Sequence, residues 1–102
     1  MFIGSTWHDI DNTLVIDLGS TFSYSAQHDF RESYVNCEQP GMTVKINLGM
    51  TDFVDSAALG MLIQLRKHVE SQKGSVVLIN PRDTVLKILK TAQFDRLFTI
   101  EN

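Results

Sequence analysis

The chain has 102 residues, of which 43% are hydrophobic and 21% charged, a composition typical of a single globular domain spanning 1–102. The formal net charge is −3 and the nine Lys and Arg residues are scattered, so the chain lacks the basic stripe of a nucleic-acid-binding protein. The longest apolar run, residues 76–79, is far shorter than the roughly 20 residues of a transmembrane helix. We expect neither nucleic-acid binding nor membrane insertion.

The sequence also argues against metal sites, disulfides and secretion. Cys37 is the only cysteine, which excludes an internal disulfide and a cysteine-based metal cluster. The three histidines, His8, His28 and His68, lie far apart without the spacing of metal ligands, so we expect no metal and no cofactor. Residues 1–13 lack the basic and long apolar segments of a signal peptide. The expected location is therefore the cytoplasm.

The first part of the chain predicts a hairpin followed by a helix. Residues 13–18, TLVIDL, have the β-branched enrichment of a strand, and residues 2–7 can pair with it through the polar turn 8–12. An apolar stripe predicts a helix over 24–38, which residues 39–41, QPG, would end. The residues of this stripe are Ala26, Phe30, Tyr34 and Cys37.

The middle of the chain predicts a strand and a longer helix. Residues 43–50 alternate apolar and polar side chains, as a strand does. Residues 57–73 carry a helical apolar stripe, and Gly74 is expected to end that helix. The stripe consists of Ala58, Leu59, Leu62, Leu65 and Val69.

The last part of the chain adds a strand, a helix and a short final strand. Residues 75–80, SVVLIN, resemble a strand that is buried on both faces. A helix is predicted over 80–93, with Asn80 as its cap and Pro81 in its first turn, and residues 96–100 predict the last strand. Because strands alternate with helices, we expect a small α/β sandwich, with a mostly parallel central sheet and helices mainly on one face.

Two adjacent polar residues interrupt the apolar stretch 53–61, FVDSAALGM. In an α/β domain this stretch connects the carboxyl end of a strand to a helix, where such folds place their functional sites. From the local pattern alone, Asp55 or Ser56 is an N-cap, which stabilises a helix by about 1 kcal/mol. The motifs of nucleophile elbows, phosphate loops and dinucleotide-binding loops are missing, and no acid/base partner accompanies Asp52 and Asp55. We therefore expect no enzymatic activity.

The segment 44–98 resembles the STAS-domain family of single-domain anti-sigma factor antagonists. In that family a strand leads into a D-S-[SA]-[GA]-L-G turn and a helix, which residues 55–60, DSAALG, match. A later S-P or N-P turn starts another helix, as in residues 79–89, INPRDTVLKIL. The resemblance covers about residues 13–100, and the elements follow one another in the same order.

The resemblance implies a switch controlled by phosphorylation of Ser56. In the family, the serine after the aspartate accepts phosphate from a partner kinase, which often doubles as the anti-sigma factor. The unphosphorylated form would bind that partner and free a sigma factor, and a PP2C-type phosphatase would restore it. A helix N-terminus tolerates the added charge, whereas a partner interface does not. The expected partner-binding residues are Asp55, Ser56, Ala57, Ala58, Gly60, Ser23, Met50 and Val54.

Several alternatives remain at this point. The small residues 57, 58 and 60 either keep the first helical turn accessible or pack closely on the sheet. Ser23 stands where family members often carry an acidic residue, and Ser23 or Thr51 could also accept phosphate. Exposure of Met50 or Val54 would favour a docking surface. An alternative function is that of an accessory STAS subunit of a lipid-transport ABC complex, although such relatives often carry threonine at this position. We expect a monomer when the protein is free.

Overall fold

The fold was determined from a computed structural model that describes residues 3–102. The strands are β1 (Gly4–His8), β2 (Thr13–Asp17), β3 (Thr21–Phe22), β4 (Thr43–Asn47), β5 (Phe53–Val54), β6 (Ser75–Ile79) and β7 (Thr99–Glu101). The helices are α1 (Gln27–Glu32), α2 (Ser56–Glu70) and α3 (Asp83–Thr91). Short 3-10 helices cover Tyr24–Ala26 and Phe94–Arg96.

The main sheet has five strands in the order β1-β2-β4-β6-β7. β1 and β2 are antiparallel, and the other neighbouring strands are parallel. The predicted hairpin and the mostly parallel α/β sheet are therefore confirmed. Phe2, the first part of the predicted hairpin, lies outside the described residues.

One face of this sheet carries the core. Ile16, Ile46 and Leu78 occupy neighbouring strands, and each is fully buried. The buried side chains of all three helices join the same core, which confirms that the helices pack on one face. On the other face Val77 and Ile79 are only half-buried. The prediction that β6 is buried on both faces is therefore wrong, because helices cover only one of them.

The helix predicted over 24–38 is shorter and less regular than its apolar stripe indicated. A 3-10 turn leads into α1, and α1 ends at Glu32. The Ser33 hydroxyl donates a hydrogen bond to the Phe30 carbonyl, a local bond of the kind that competes with helical geometry. Phe30 and Tyr34 still enter the core, with their ring centroids 5.6 Å apart. The periodicity thus predicted the buried face but not the end of the helix.

The ends of α2 and α3 also differ from the predictions. α2 ends at Glu70, the left-handed residue after it is Lys73 (φ 64°), and Gly74 follows. α3 begins at Asp83, so Asn80 is not its cap. Asn80 is itself left-handed, with φ 59°, and its amide donates to an amide oxygen of β4 at 3.3 Å. This long-range bond uses the side chain that would otherwise cap the helix.

A separate two-stranded parallel ladder, which the sequence did not predict, lies beside the main sheet. β3 pairs with β5, so that Thr21 faces Phe53 and Phe22 faces Val54. The chain continues from β3 into the 3-10 turn at Tyr24 and from β5 into α2. The ladder therefore brings the segment before α1 next to the start of α2.

Candidate functional site at the start of helix α2

Asp55, and not Ser56, caps α2. Its backbone is extended, with φ −92° and ψ 175°, and its Oδ1 accepts a hydrogen bond from the Ala58 backbone N–H at 2.8 Å. This is the geometry of an N-cap carboxylate. Ser56 is the first helical residue and is exposed. Within residues 3–102, the Ser56 hydroxyl takes part in no hydrogen bond.

The second carboxylate oxygen of Asp55 holds a neighbouring loop. Asp55 Oδ2 accepts a hydrogen bond from the Tyr24 backbone N–H at 3.1 Å, across 31 positions of sequence. The Asp55 N–H donates in turn to the Phe22 carbonyl at 3.3 Å. One carboxylate therefore satisfies two backbone donors and ties the start of α2 to the 3-10 turn. Tyr24, which this bond keeps beside the helix start, was not a predicted site residue.

Large apolar side chains are exposed around this helix start. The exposed fractions are 67% for Tyr24, 67% for Met50 and 51% for Phe53. Met50 and Phe53 lie three residues apart in the segment that leads through β5 to α2, and the β3–β5 ladder and the Asp55 hydrogen bond bring Tyr24 next to this segment. Clustered exposed apolar side chains are typical of a protein-binding surface. We call Tyr24, Met50, Phe53 and Ser56 the switch surface.

The predicted partner-binding residues divide between this surface and the core. Met50 is exposed, which favours the docking hypothesis, whereas Val54 is 4% exposed and Ala58 is fully buried. The side chains of Val54 and Ala58 are therefore unavailable to a partner, and close packing explains both. Ala57 is half-buried and Gly60 is exposed. Within residues 3–102, a Cβ on Gly60 would have no neighbour within 4 Å apart from the adjoining backbone of its own helix.

The two alternative phosphate acceptors have less accessible hydroxyls than Ser56. Thr51 is fully buried, and its hydroxyl donates to the Gly19 carbonyl at 2.8 Å. Ser23 is half-buried, and its hydroxyl lies 3.0 Å from the hydroxyl of Ser25. Phosphorylating either residue would break an existing contact, whereas phosphorylating Ser56 would not.

The loop that carries Met50 is held from two sides. Arg82, at the N-cap position of α3, donates from Nε to the Gly49 carbonyl at 2.9 Å, and its Nη1 pairs with the Asp52 carboxylate. The Thr51 hydroxyl bond attaches the same loop to the Gly19 carbonyl, in the segment before β3. The ion pair is exposed and contributes little stability by itself, but with the other bonds it fixes the loop. The exposed Met50 side chain therefore projects from an ordered segment.

The residues with shifted pKa values lie away from the switch surface. Burial raises the pKa of the Cys37 thiol, which keeps it protonated and makes it a poor nucleophile. Burial also raises the pKa of the Tyr34 phenol, and the nearby Arg31 guanidinium opposes this effect. In the part of the chain that the structure describes, no three His, Cys, Asp or Glu residues come together as a metal site. Over the same residues, no helix is long and apolar enough to cross a membrane.

The chain matches known proteins along most of its length. The family model described as the STAS domain matches residues 7–102. A STAS-domain containing protein of Pseudomonas aeruginosa is 33% identical over 87 residues, which cover 85% of this chain and 86% of that protein.

Solved structures match the fold at lower identity. An anti-sigma-factor antagonist (STAS) domain protein from Planctomyces limnophilus superposes with a TM-score of 0.84 at 17% identity, covering 98% of this chain and 89% of that one. The anti-sigma factor antagonist SpoIIAA in its unphosphorylated form superposes with a TM-score of 0.69 at 19% identity, covering 94% of this chain and 97% of SpoIIAA. The phosphorylated form of SpoIIAA from Bacillus superposes with a TM-score of 0.68 at 16% identity, covering 99% of this chain and 92% of SpoIIAA. The family match and these folds confirm the resemblance noted in the sequence, and the chain belongs to the STAS domain family.

Proposed function

We propose that this domain is an anti-sigma factor antagonist controlled by phosphorylation of Ser56. In the unphosphorylated form it binds an anti-sigma factor that is also a serine kinase, and a sigma factor is released in the bacterial cytoplasm. The kinase phosphorylates Ser56 and thereby ends binding, and a PP2C-type phosphatase restores the free serine. The observation that carries this proposal is the free Ser56 hydroxyl among the exposed side chains of Tyr24, Met50 and Phe53.

The structure around Ser56 is compatible with a phosphate on this residue that weakens partner binding and leaves the fold intact. Phosphoserine adds a charge of about −1.5 to −2 at neutral pH, and the positive end of a helix dipole stabilises such a charge. The first turn of α2, residues 56–59, is uncharged, and the Asp55 carboxylate is already held by two backbone N–H groups. Modified Ser56 can therefore remain exposed at the end of a stable helix.

The same charge would be unfavourable in a protein interface. A partner that covers the switch surface must remove water from the phosphate, and it would bury that phosphate next to the Asp55 carboxylate. Desolvation and repulsion both oppose this step. We therefore expect the free serine to bind and the phosphoserine not to bind. SpoIIAA, which shares the fold, has been solved in both phosphorylation states, which supports a similar cycle here.

The proposed partner surface consists of the switch surface and the exposed part of the first two helical turns. It retains Ala57 and Gly60 from the predicted set. Asp55 holds the Tyr24 loop next to it, and the half-buried Ser23, whose hydroxyl contacts Ser25, precedes Tyr24. Val54 and Ala58 are left out because they are buried. Tyr24 and Phe53 are added because they are exposed beside Ser56.

Capture from native cells tests this proposal. Tagged wild type, Ser56→Ala and Ser56→Asp would be compared by mass spectrometry of bound proteins and of residue 56. Ser75→Asp is the matched control, because it adds the same charge at an exposed position. Ser75 is the first residue of β6 and so lies at the amino ends of the parallel strands, whereas α2 starts beyond their carboxyl ends. We expect wild type, Ser56→Ala and Ser75→Asp to retain one kinase or anti-sigma protein, and Ser56→Asp to lose it.

Two outcomes would contradict the proposal. Equal capture by all four proteins, with Ser56 never modified, would make this serine a structural residue only. An ABC ATPase retained by every variant would instead assign the domain to a transport complex, the alternative function considered from the sequence.

A further inference from the structure

A groove of about 420 Å³ runs between α2 and α3. Its lining residues are Leu59, Thr84, Lys87, Ile88, Thr91 and Ala92. The aliphatic side chains of Leu59 and Ile88 are only partly covered by the core. Leu59 lies three residues after Ser56, so the groove begins about one helical turn from the phosphorylation site. The groove is thus an apolar extension of the switch surface.

The helix face beside the groove ends in a basic residue. Ser56, Gly60, Ile63 and Lys67 follow one another at spacings of four, three and four, and so share one face of α2. Gly60 leaves this face open to close approach, since a Cβ there would meet open space. Lys67 is exposed. The partly covered Ile63 gives the face an apolar centre.

The far side of the groove is basic as well. Lys87 lines it and Lys90 is exposed one turn further along α3. Arg66 and Glu70 of α2 pair with each other at 3.1 Å and so leave no net charge there. Asp83 lies at the start of α3, at the end nearer Ser56. The α3 side of the groove is therefore basic, through Lys87 in the lining and Lys90 next to it, in a chain whose net charge is −3.

We propose that this groove binds an amphipathic helix of the anti-sigma partner, with an apolar face flanked by acidic side chains. The apolar residues fill the space over Leu59 and Ile88, and the acidic residues pair with Lys67 and Lys87. The nine residues of α3 span ~13.5 Å, enough for roughly two to three turns of a partner helix. This is the helix-in-groove mode of recognition. The inference rests on the proposed function, because the occupant is part of the same partner.

An acidic occupant also gives the phosphate a second way to oppose binding. Phosphoserine 56 would lie at the end of the same helix face, within about one turn of Gly60. Its negative charge would repel the acidic helix directly, in addition to the cost of desolvation at the switch surface. The lysines attract the partner helix and the phosphate repels it, so both act on the same electrostatic contact.

Titration of the full chain with two synthetic helical peptides tests the proposal. Each peptide has about three turns, or roughly 11 residues, with leucines at i, i+3, i+4 and i+7; one is flanked by glutamates and the other by lysines. We expect the acidic peptide to shift backbone NMR signals of α2 and α3 only, and the basic peptide not to bind. Lys87→Glu should lower the affinity for the acidic peptide by about tenfold or more and raise the affinity for the basic peptide.

Other results would overturn the proposal. Failure of both peptides at millimolar concentration, equal binding of both, or signal shifts confined to the β1–β2 hairpin would each do so. A wild-type dimer in sedimentation that Ile88→Asp dissociates would instead make the occupant a second copy of this chain.

Adding Lys87→Glu to the capture experiment separates this inference from the proposed function. If Ser56→Asp loses the partner and Lys87→Glu keeps it, the groove proposal is wrong and the switch stands. If Lys87→Glu loses the partner and Ser56→Asp keeps it, the switch is wrong. Thermal unfolding of each variant checks that these exposed substitutions leave the fold intact.

Discussion

The two ends of α2 differ in how closely the glycine near each end is packed. Beyond the carboxyl end, a Cβ on Gly74 would lie 2.3 Å from the Met42 carbonyl oxygen and 2.8 Å from Val69 Cγ1. Near the amino end, a Cβ on Gly60 would project into open space. Close contact with Met42, the residue before β4, therefore explains Gly74, whereas within residues 3–102 no side-chain packing requires Gly60 and no hydrogen bond uses the Ser56 hydroxyl. Gly60 and Ser56 both lie at the amino end, where we propose the function.

Substitution of Gly74 by alanine should give the largest loss of stability. The new methyl group must displace the Met42 backbone, and overpacking of this kind costs about 3 kcal/mol at the upper end of its usual range. The loop also carries the hydrogen bonds from the Gly74 N–H to Val69 and from the Ser75 N–H to Met42. Denaturant unfolding measures the change. A loss below about 1 kcal/mol would mean that β4 yields easily and that this end is not packing-limited.

Substitutions of Asp55 should separate helix capping from loop positioning. Asp55→Ala removes both acceptors and should lower the free energy of unfolding by about 1–2 kcal/mol. Asp55→Ser can still cap through its hydroxyl, so most of that stability should return, but a single hydroxyl cannot also hold the Tyr24 N–H. Hydrogen exchange should therefore be faster at Tyr24 in Asp55→Ser, and partner capture should fall. Unchanged protection of the Tyr24 amide in this variant would contradict the positioning role.

Substitution of Gly60 by alanine should stabilise the protein, whereas the same substitution at Gly74 should destabilise it. Glycine inside a helix is about 1 kcal/mol less favourable than alanine, and the added methyl group meets open space. We therefore expect Gly60→Ala to raise the free energy of unfolding by about 1 kcal/mol while weakening partner capture. Gly74→Ala, which adds the same methyl group at a packed position, is the comparison for the change in stability. A loss of stability in Gly60→Ala would mean that the amino end is as tightly packed as the carboxyl end.

The sequence predicted the parts of the fold that repeat and missed the parts that depend on distant contacts. Alternating apolar residues in β4, and strands that alternate with helices, were sufficient to predict the mostly parallel sheet. The two-residue strands β3 and β5 are too short to show a period. Asn80 has the chemistry of a cap, but its contact with Asn47, 33 positions away, overrides that local preference. The end of α1 depends on which backbone group the Ser33 hydroxyl binds.

The site was predicted in outline for the same reason. The DSAALG turn indicated the start of α2, but the local pattern could not decide whether Asp55 or Ser56 is the cap. The structure assigns the cap to Asp55, whose second oxygen binds the N–H of Tyr24. Met50 and Val54 were predicted together, yet pairing of β5 with β3 directs Val54 into the core. Tyr24 lies in a polar loop whose position depends on that pairing, and no local signal could identify it.

The smallest expected effect concerns the carboxyl half of α2 at alkaline pH. Tyr34 packs against His68 with ring centroids 5.4 Å apart, and burial raises the pKa of its phenol above the ordinary value of 10.0. The folded state therefore favours the neutral phenol. Once the pH exceeds about 10, the unfolded chain loses this proton first, so stability falls as the pH rises towards the folded-state pKa. Below that window the raised pKa should have no effect on the pH dependence of stability.

Unfolding experiments between about pH 8 and about pH 11 would measure this dependence. Tyr34→Phe should be less stable or equal at the lower pH but should lose less stability than wild type as the pH rises. Tyr24→Phe, which removes an exposed phenol beside Ser56, is the matched control. If the stability of Tyr34→Phe falls as steeply with pH as that of the wild type, the alkaline sensitivity does not arise from this buried phenol. A decline removed by Tyr34→Phe but not by Tyr24→Phe would assign it to the buried phenol that packs against the carboxyl half of α2.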